Sequence, residues 1–254
     1  MLVVVAGKVD IGRKRTCNQD KILICDKRVG SLPNLLIVAD GVGGDNSGEV
    51  ASELAIDSFY DYITEHEGAD LSTPELIANL LTRAISHANY VVFERSQQDA
   101  QCKGMGTTFT LATVIGEHMY ISHVGDTRVY VMNNKQVIQL TTDHSLVQEM
   151  FESGILTREE VFNHPMGHYI TRAVGTAHKI KVDNIMCELK HVEYILLCSD
   201  GLTSMINEND LKEIVYSKKE VELEMIVENL INEANSRGGP DNIAVILAKK
   251  CEVI

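Results

Sequence analysis

Aspartates at the borders of apolar runs are the side chains of this sequence with the clearest chemical potential. Asp40 and Asp200 each follow an apolar run and precede a glycine, Asp126 follows such a run and a glycine, and Asp241 opens the last run. A carboxylate at the end of a buried strand is partly desolvated, which disfavours its charged form, and several such groups repel one another. A bound cation relieves both effects, and ligand sets made only of oxygen favour Mg²⁺ or Mn²⁺ over zinc or copper.

A single Asp-Gly pair is an ordinary turn signal, so each aspartate alone is a weak indication. The glycines nevertheless let the backbone come close to a bound ion, and a glycine carbonyl could serve as a further oxygen ligand. The wider sequence around each aspartate therefore has to decide between a turn and a metal site.

Short apolar runs and amphipathic stretches predict the elements that carry these residues. Strands are predicted over 2–9, 22–25, 35–39, 107–115, 119–124, 128–132, 136–140, 180–188, 193–198 and 242–249. Helices are predicted over 48–65, from Pro74 onward behind the cap residues Ser72 and Thr73, and over 145–152, 208–216 and 221–235.

Strands and helices come in blocks, and short turns such as 116–118 and 133–135 link neighbouring strands, which makes the sheets antiparallel. This order predicts an α+β fold, a four-layer α-β-β-α sandwich with two antiparallel sheets flanked by helices. We expect one domain over residues 1–254, with a small flap of irregular, His- and Gly-rich sequence over roughly 145–178.

Composition narrows the function classes. The chain has 254 residues, 44% of them hydrophobic, and a formal charge of -13, which makes nucleic acid a poor partner. No Cys-x-x-Cys pair occurs among the six cysteines. The apolar start is interrupted at Lys8, so no signal peptide or membrane span is predicted. We expect a cytoplasmic monomer with reduced thiols.

Eight strings around these residues resemble the PPM family, the metal-dependent serine/threonine protein phosphatases of the 2C type, and above all its compact bacterial members. They occur in the family's order, from residue 10 to residue 243. They are DIGRKRTCNQD (10–20), VADGVGG (38–44) followed by GE (48–49), GMGTT (104–108), HVGDTRVY (123–130), LTTDHS (140–145), ITRAVG (170–175), LCSDGL (197–202) and GPDNI (239–243).

The resemblance implies a pair of Mn²⁺ or Mg²⁺ ions and assigns their ligands. Asp40 matches the carboxylate that bridges the two metals, and Gly41 would offer its carbonyl to one of them. Asp200 and Asp241 would complete the pair, and Asp20 is similar to the acidic residue that orients metal-bound water.

Two further positions carry roles by the same resemblance. Asp126 matches the residue that recruits a third, weaker metal together with Asp200, and Arg15 matches the arginine that grips the substrate phosphate. Two adjacent metals lower the pKa of a bridging water and hold it in line with phosphorus, so hydroxide would attack directly without a phosphoenzyme. An arginine fork fits phosphate oxygens and neutralises charge in the transition state.

Two positions depart from the family pattern. Gln19 stands where many relatives have Glu, as it does in related bacterial members, and Asp45 stands where some relatives carry His. A general acid carried by that His cannot be assumed. His144, His164 and His168 are conceivable substitutes, and each also fits a structural or surface role.

Other phosphatase chemistries lack their motifs: no Cys-x5-Arg, Asp-x-Asp or P-loop occurs. The sequence therefore predicts a metal-dependent serine/threonine phosphatase whose partners are phosphorylated proteins, the substrates of a serine/threonine kinase. Two alternatives stay open: a catalytically weak relative that serves as a binding or regulatory module, and a phosphatase of a small metabolite.

Overall fold

The structure is a computed structural model that describes residues 3–43, 47–162, 164–217 and 221–250. Its strands are β1 (Val3–Asp10), β2 (Asp20–Cys25), β3 (Leu35–Val42), β4 (Gly106–Thr107), β5 (Phe109–Ile115), β6 (His118–Val124), β7 (Arg128–Met132), β8 (Val137–Gln139), β9 (Asp183–Glu188), β10 (Tyr194–Cys198) and β11 (Ile243–Lys250). Its helices are α1 (Ser47–Glu65), α2 (Pro74–Gln98), α3 (Leu146–Glu152), α4 (Arg158–Phe162), α5 (Asp200–Thr203), α6 (Glu208–Tyr216) and α7 (Leu223–Ser236).

The strands form two antiparallel sheets. One sheet has the order β1-β11-β10-β7-β8, and the other has β2-β3-β5-β6-β9 with β4 paired to β3. Both sheets combine strands that are far apart in the chain: β1 pairs with β11, and β6 pairs with β9. Segments that are distant in sequence therefore meet in each sheet, and the aspartates lie in or beside these strands.

Alternation along the strands explains the layering. In β10, Ile195 and Leu197 belong to the core between the two sheets, whereas Leu196 and Cys198 pack against the layer of α6 and α7. On the other side, α1 and α2 cover β3 and β5 with a third core. Side chains of a strand alternate between its faces, so both faces of such a central strand must be apolar. The α+β fold and its four α-β-β-α layers are confirmed.

Several local predictions were wrong. β3 continues to Val42, so Asp40 lies inside a strand and not after its end, because β2 and β4 supply backbone partners on both sides of this segment. The strand predicted over 180–188 begins only at Asp183, and the one over 107–115 divides at Thr108. α4 and the short α5 were not predicted.

The segment 145–178 contains α3, α4 and a series of turns. One backbone bridge lies within the segment, between Ser145 and Ile170, and a second joins Val174 of the segment to Thr107 in β4. The division into one domain with a flap stays a prediction. None of the described helices is long and apolar enough to cross a bilayer.

Candidate metal centre

The pairing of β2 with β3 brings the first two aspartates face to face. Asp20, the first residue of β2, is the direct cross-strand partner of Asp40. Asp20 is only 1% exposed. Directly opposed residues of an antiparallel pair have Cβ atoms about 5 Å apart, so two like charges here repel strongly.

Gly41 lies where β3 passes the start of α1. Its N–H donates to the Gln19 carbonyl at 3.1 Å, and a Cβ at this position would lie 2.1 Å from the carbonyl oxygen of Gly48. No larger residue fits, so the glycine is required for the close approach of strand and helix. The predicted role of the Gly41 carbonyl as a metal ligand stays a prediction.

Asp200 enters from the other sheet, at the first residue of α5 behind β10. The preceding Ser199 donates from Oγ to Asp20 Oδ2 at 2.7 Å and accepts from the Ala244 N–H at 2.8 Å. Ser199 thus ties the carboxylate of one sheet to two strands of the other. Nothing in its residue type singled it out in the sequence except its place before Asp200.

Asn242 is a second residue that sequence reasoning missed. Its Nδ2 donates to the carbonyls of Ile11 and Cys17, both at 2.9 Å, and its Oδ1 accepts from the Gln19 N–H at 2.9 Å. It therefore fixes both ends of the loop that carries Arg15. Its position in the string GPDNI was the only sequence signal for Asn242, and a single asparagine does not predict which hydrogen bonds its side chain forms.

Asp241 and Arg15 form the outer rim of the cluster. Arg15 Nη2 lies 2.8 Å from Asp241 Oδ2, and the Arg15 side chain remains 51% exposed. The hydrogen bond with Asp241 raises the pKa of Arg15. A cation at the rim of a buried carboxylate cluster is well placed to meet an incoming anion.

Asp126 lies in the turn between β6 and β7 and is buried. Gly125 before it has φ +111°, and a Cβ there would lie 2.5 Å from Thr108. The turn therefore needs glycine both for its backbone angle and for space. Arg128, two residues further on, partly offsets the negative charge of Asp126.

Electrostatics show that the aspartates share one environment. Burial raises the pKa of Asp40 well above its usual range, and the charges of Asp20, Asp200, Asp126 and Asp241 raise it further. Burial followed by the charges of Asp200 and Asp241 raises the pKa of Asp20 to about 7. Burial followed by the charge of Asp241 raises the pKa of Asp200 to about 6. The other four predicted aspartates are therefore within electrostatic reach of Asp40.

The chemistry of this set fits divalent cations. Asp20 Oδ1 is buried and has no hydrogen-bond partner, which leaves one carboxylate oxygen of the cluster unsatisfied. Within the described ranges, no group of three or more His, Cys, Asp or Glu side chains meets the geometry of a formed metal site. What indicates a cation is thus the excess negative charge of oxygen-only donors, of which Asp20 and Asp126 are buried and Asp40, Asp200 and Asp241 half-buried.

A groove of 790 Å³ leads to this cluster. Asp126, Asp200 and Asp241 lie along it, Val147 and His168 line it from the segment 145–178, and α6 contributes at its start. The groove is large enough for several residues of an extended chain.

The three histidines considered as proton donors differ in their surroundings. His144 is buried, accepts the Gly125 N–H at Nδ1, and has Asp183 at 3.1 Å and Arg172 at 2.8 Å from Nε2. Both ring nitrogens are occupied, so His144 has a structural role. His164 and His168 line the groove. Asp45 lies outside the described residues.

Comparison with known proteins agrees with the fold. The family model for protein phosphatase 2C matches residues 11–243. The chain therefore belongs to the protein phosphatase 2C family, and it is a metal-dependent phosphoprotein phosphatase.

Relatives support this membership over nearly the whole chain. A serine/threonine phosphatase, stp, of Listeria monocytogenes is 36% identical over 96% of this chain and 94% of its own. The protein phosphatase PhpP of Streptococcus pneumoniae is 35% identical, with 96% of each chain covered.

Solved structures are similar as well. The crystal structure of serine/threonine phosphatase Stp1 from Staphylococcus aureus has a TM-score of 0.90 at 33% identity, covering 99% of this chain and 96% of that chain. The catalytic domain of the phosphatase PstP, solved in complex with two manganese ions, has a TM-score of 0.80 at 29% identity and 97% coverage of both chains.

Proposed function

We propose that this protein removes phosphate from phosphoserine and phosphothreonine of other proteins, by direct attack of water on phosphorus at a pair of divalent cations. The attack forms an oxygen–phosphorus bond and breaks the bond between phosphorus and the side-chain oxygen of the substrate. The products are inorganic phosphate and the free hydroxyl, without a phosphoenzyme.

The observation that carries this proposal is the convergence of five aspartates from both sheets around Asp40, with Arg15 and Arg128 offsetting only part of their negative charge. Asp40, the Gly41 carbonyl, Asp200 and Asp241 would hold the two cations, with Asp20 beside them. When bound, the cations would lower the pKa of water and neutralise charge on the phosphate.

The remaining residues act on the substrate and on the outer part of the site. Arg15 would leave Asp241 in part and donate to two phosphate oxygens, which orients phosphorus toward the cluster. Asp126, with Asp200, would hold a third and weaker cation. The choice of Mn²⁺ or Mg²⁺ follows from the all-oxygen donor set, which suits both ions.

Phosphorylated proteins are the substrate class that goes with this activity. We propose that they are products of a serine/threonine kinase, which this enzyme would oppose. The monomeric state, the cytoplasmic location and the absence of nucleic-acid and membrane partners stay predictions from the sequence.

Asp40→Asn tests the proposal most directly. Removing the central carboxylate charge should lower Mn²⁺-dependent hydrolysis of a phosphothreonine peptide by at least about 100-fold, since several kcal/mol of charge stabilisation is lost. The same substitution relieves repulsion, so the melting temperature in EDTA should rise or stay unchanged. Turnover that survives in Asp40→Asn would contradict the role of Asp40.

The same assay distinguishes the two alternatives, a binding module and a phosphatase of a small metabolite. Wild-type protein that binds Mn²⁺ by calorimetry but turns over neither peptide nor p-nitrophenyl phosphate would be a binding module. Turnover of small phosphate esters with no turnover of phosphopeptides would instead indicate a metabolite phosphatase.

A further inference from the structure

A second groove lies between helices α1 and α2. It has a volume of 670 Å³ and is lined by residues from positions 50–57 of α1 and 90–98 of α2. None of the residues predicted for the metal centre lines it. The groove therefore shares no lining residue with the predicted metal centre.

The groove is apolar along its floor and on part of its walls. Leu54 and Val91 are half-buried at the helix contact. Tyr90 and Val50 extend the apolar surface outward, and they are 49% and 38% exposed. Contiguous exposed apolar surface that borders a groove is typical of protein interaction sites, and exposed tyrosine is enriched in them.

The charges around this floor are negative and poorly balanced. Asp57 and Glu94 line the groove, and in the described part of the chain neither forms an ion pair. Burial, and then the charges of Glu53 and Asp61, raise the pKa of Asp57. The middle of the groove therefore has an excess of negative charge.

The nearby cations compensate this excess only in part: Lys21 Nζ lies 3.8 Å from Glu53 Oε2 on the groove lining, and Arg95, which also lines the groove, is paired to an acid that does not line it. Lys21, near the first turn of α1, lies 3.0 Å from Glu49, and Arg95 lies 3.0 Å from Asp99 at the end of α2. Glu94 accepts a hydrogen bond from Gln98 Nε2 at 3.4 Å, and both Asp57 and Glu94 keep a charge that no cation of the described residues pairs.

We propose that this α1–α2 groove binds a basic amphipathic segment of another protein. An apolar side chain of that segment would fill the space between Leu54 and Val91, and flanking lysine or arginine side chains would pair with Asp57 and Glu94. Apolar anchors at helical spacing that enter a groove, with charges at the rim that set specificity, are a common mode of peptide recognition. A second copy of this chain is disfavoured as the occupant because each copy has a formal charge of -13.

The probe for the test is a fluorescent 14-residue helical peptide with leucine at positions i, i+4 and i+7 and lysine elsewhere. Its binding to the full chain is measured by fluorescence anisotropy at physiological salt. Asp57→Lys/Glu94→Lys should weaken binding by at least about tenfold, because two attractive pairs become repulsive. Tyr90→Ser should weaken it by about threefold through lost apolar contact.

The matched control is Glu213→Lys/Glu224→Lys, which changes the net charge equally on exposed positions of α6 and α7. It should change the affinity by less than about twofold. Circular dichroism and turnover of p-nitrophenyl phosphate should be unchanged in both double variants, which separates this surface from the metal centre.

Three results would overturn the proposal. One is an equal loss of affinity in the groove variant and the control, which would show unspecific charge attraction. Another is hydrogen-exchange protection by the peptide outside 50–57 and 90–98. The third is self-association in sedimentation that Tyr90→Ser abolishes, because the groove would then be occupied by a second copy.

Discussion

The Arg128–Asp143 pair and the aspartates around Asp40 both lie near the groove of the metal centre, but their charges are balanced in different ways. Arg128 and Asp143 form a closed pair: Nε lies 3.0 Å from both carboxylate oxygens, Nη2 lies 2.6 Å from Oδ2, and Gln139 donates to Oδ1 at 3.0 Å. The aspartates around Asp40 instead repel one another, and Asp20 Oδ1 has no partner.

One short segment supplies a member to each group, because Asp126 and Arg128 are two residues apart. Arg128 gains its countercharge from within the chain, whereas the cluster contains more negative charge than Arg15 at its rim offsets. The comparison shows that the Arg128–Asp143 pair is neutralised by groups of the chain itself, whereas the aspartate cluster needs an external cation. A buried carboxylate group of this kind is stable only when protons or metal ions neutralise it.

Breaking the closed pair should have the largest effect on folding. Asp143→Ala leaves the Arg128 guanidinium partly buried without its carboxylate, and we expect a loss of about 3 kcal/mol in the free energy of unfolding. Urea unfolding in EDTA measures this value, so that metal binding does not contribute.

The double variant Arg128→Met/Asp143→Leu is the control, because it removes both charges and retains apolar volume. It should be more stable than Asp143→Ala alone. If Asp143→Ala unfolds at the wild-type urea concentration, the pair is not what stabilises this region.

Adding metal should stabilise the aspartate cluster, and the size of this effect should depend on pH. The pKa of Asp20 is raised to about 7 and that of Asp200 to about 6, so the metal-free folded state retains protons that the unfolded state loses near its ordinary value of 3.8. This stabilisation is present below about pH 4 and is lost progressively as the pH rises to about 7. Cations replace these protons, so Mn²⁺ should stabilise the protein more at pH 7.5 than at pH 5.

Thermal unfolding with EDTA or with excess Mn²⁺ at both pH values measures this effect. Asp20→Asn should reduce the difference between the two pH values, since it removes one of the titrating groups. A gain in melting temperature that is the same at pH 5 and pH 7.5 would contradict the shared titration of the cluster.

Substitution of Arg15 at the rim should have the smallest effect of the three changes. This effect should be on substrate binding and not on folding. Its pair with Asp241 is half exposed, so Arg15→Ala should leave the free energy of unfolding nearly unchanged. We expect KM for a phosphopeptide to rise about tenfold, about 1.4 kcal/mol, because phosphate loses a bidentate donor. Initial-rate kinetics of Arg15→Ala and Arg15→Lys measure this change, and a fall in kcat alone would exclude a binding role.

Much of this protein was predictable from the sequence because its signals are local. Apolar runs located most strands, the cap at Thr73 and Pro74 located α2, and the ordered strings around Asp40 and Asp200 predicted the family, which the comparisons confirm. The early end of the strand at Asp40 was wrong because partners distant in sequence extend β3.

Only the tertiary structure decided how the side chains meet. The register of β2 with β3 sets Asp20 opposite Asp40, and the contact of Ser199 with Asp20 joins the two sheets across 179 positions of the chain. The occupied nitrogens of His144, the anchoring by Asn242 and the unbalanced groove of α1 and α2 are likewise long-range facts. The sequence alone determined which groups are charged or apolar, but burial and mutual distance set their pKa values and partners, and those quantities exist only in the folded chain.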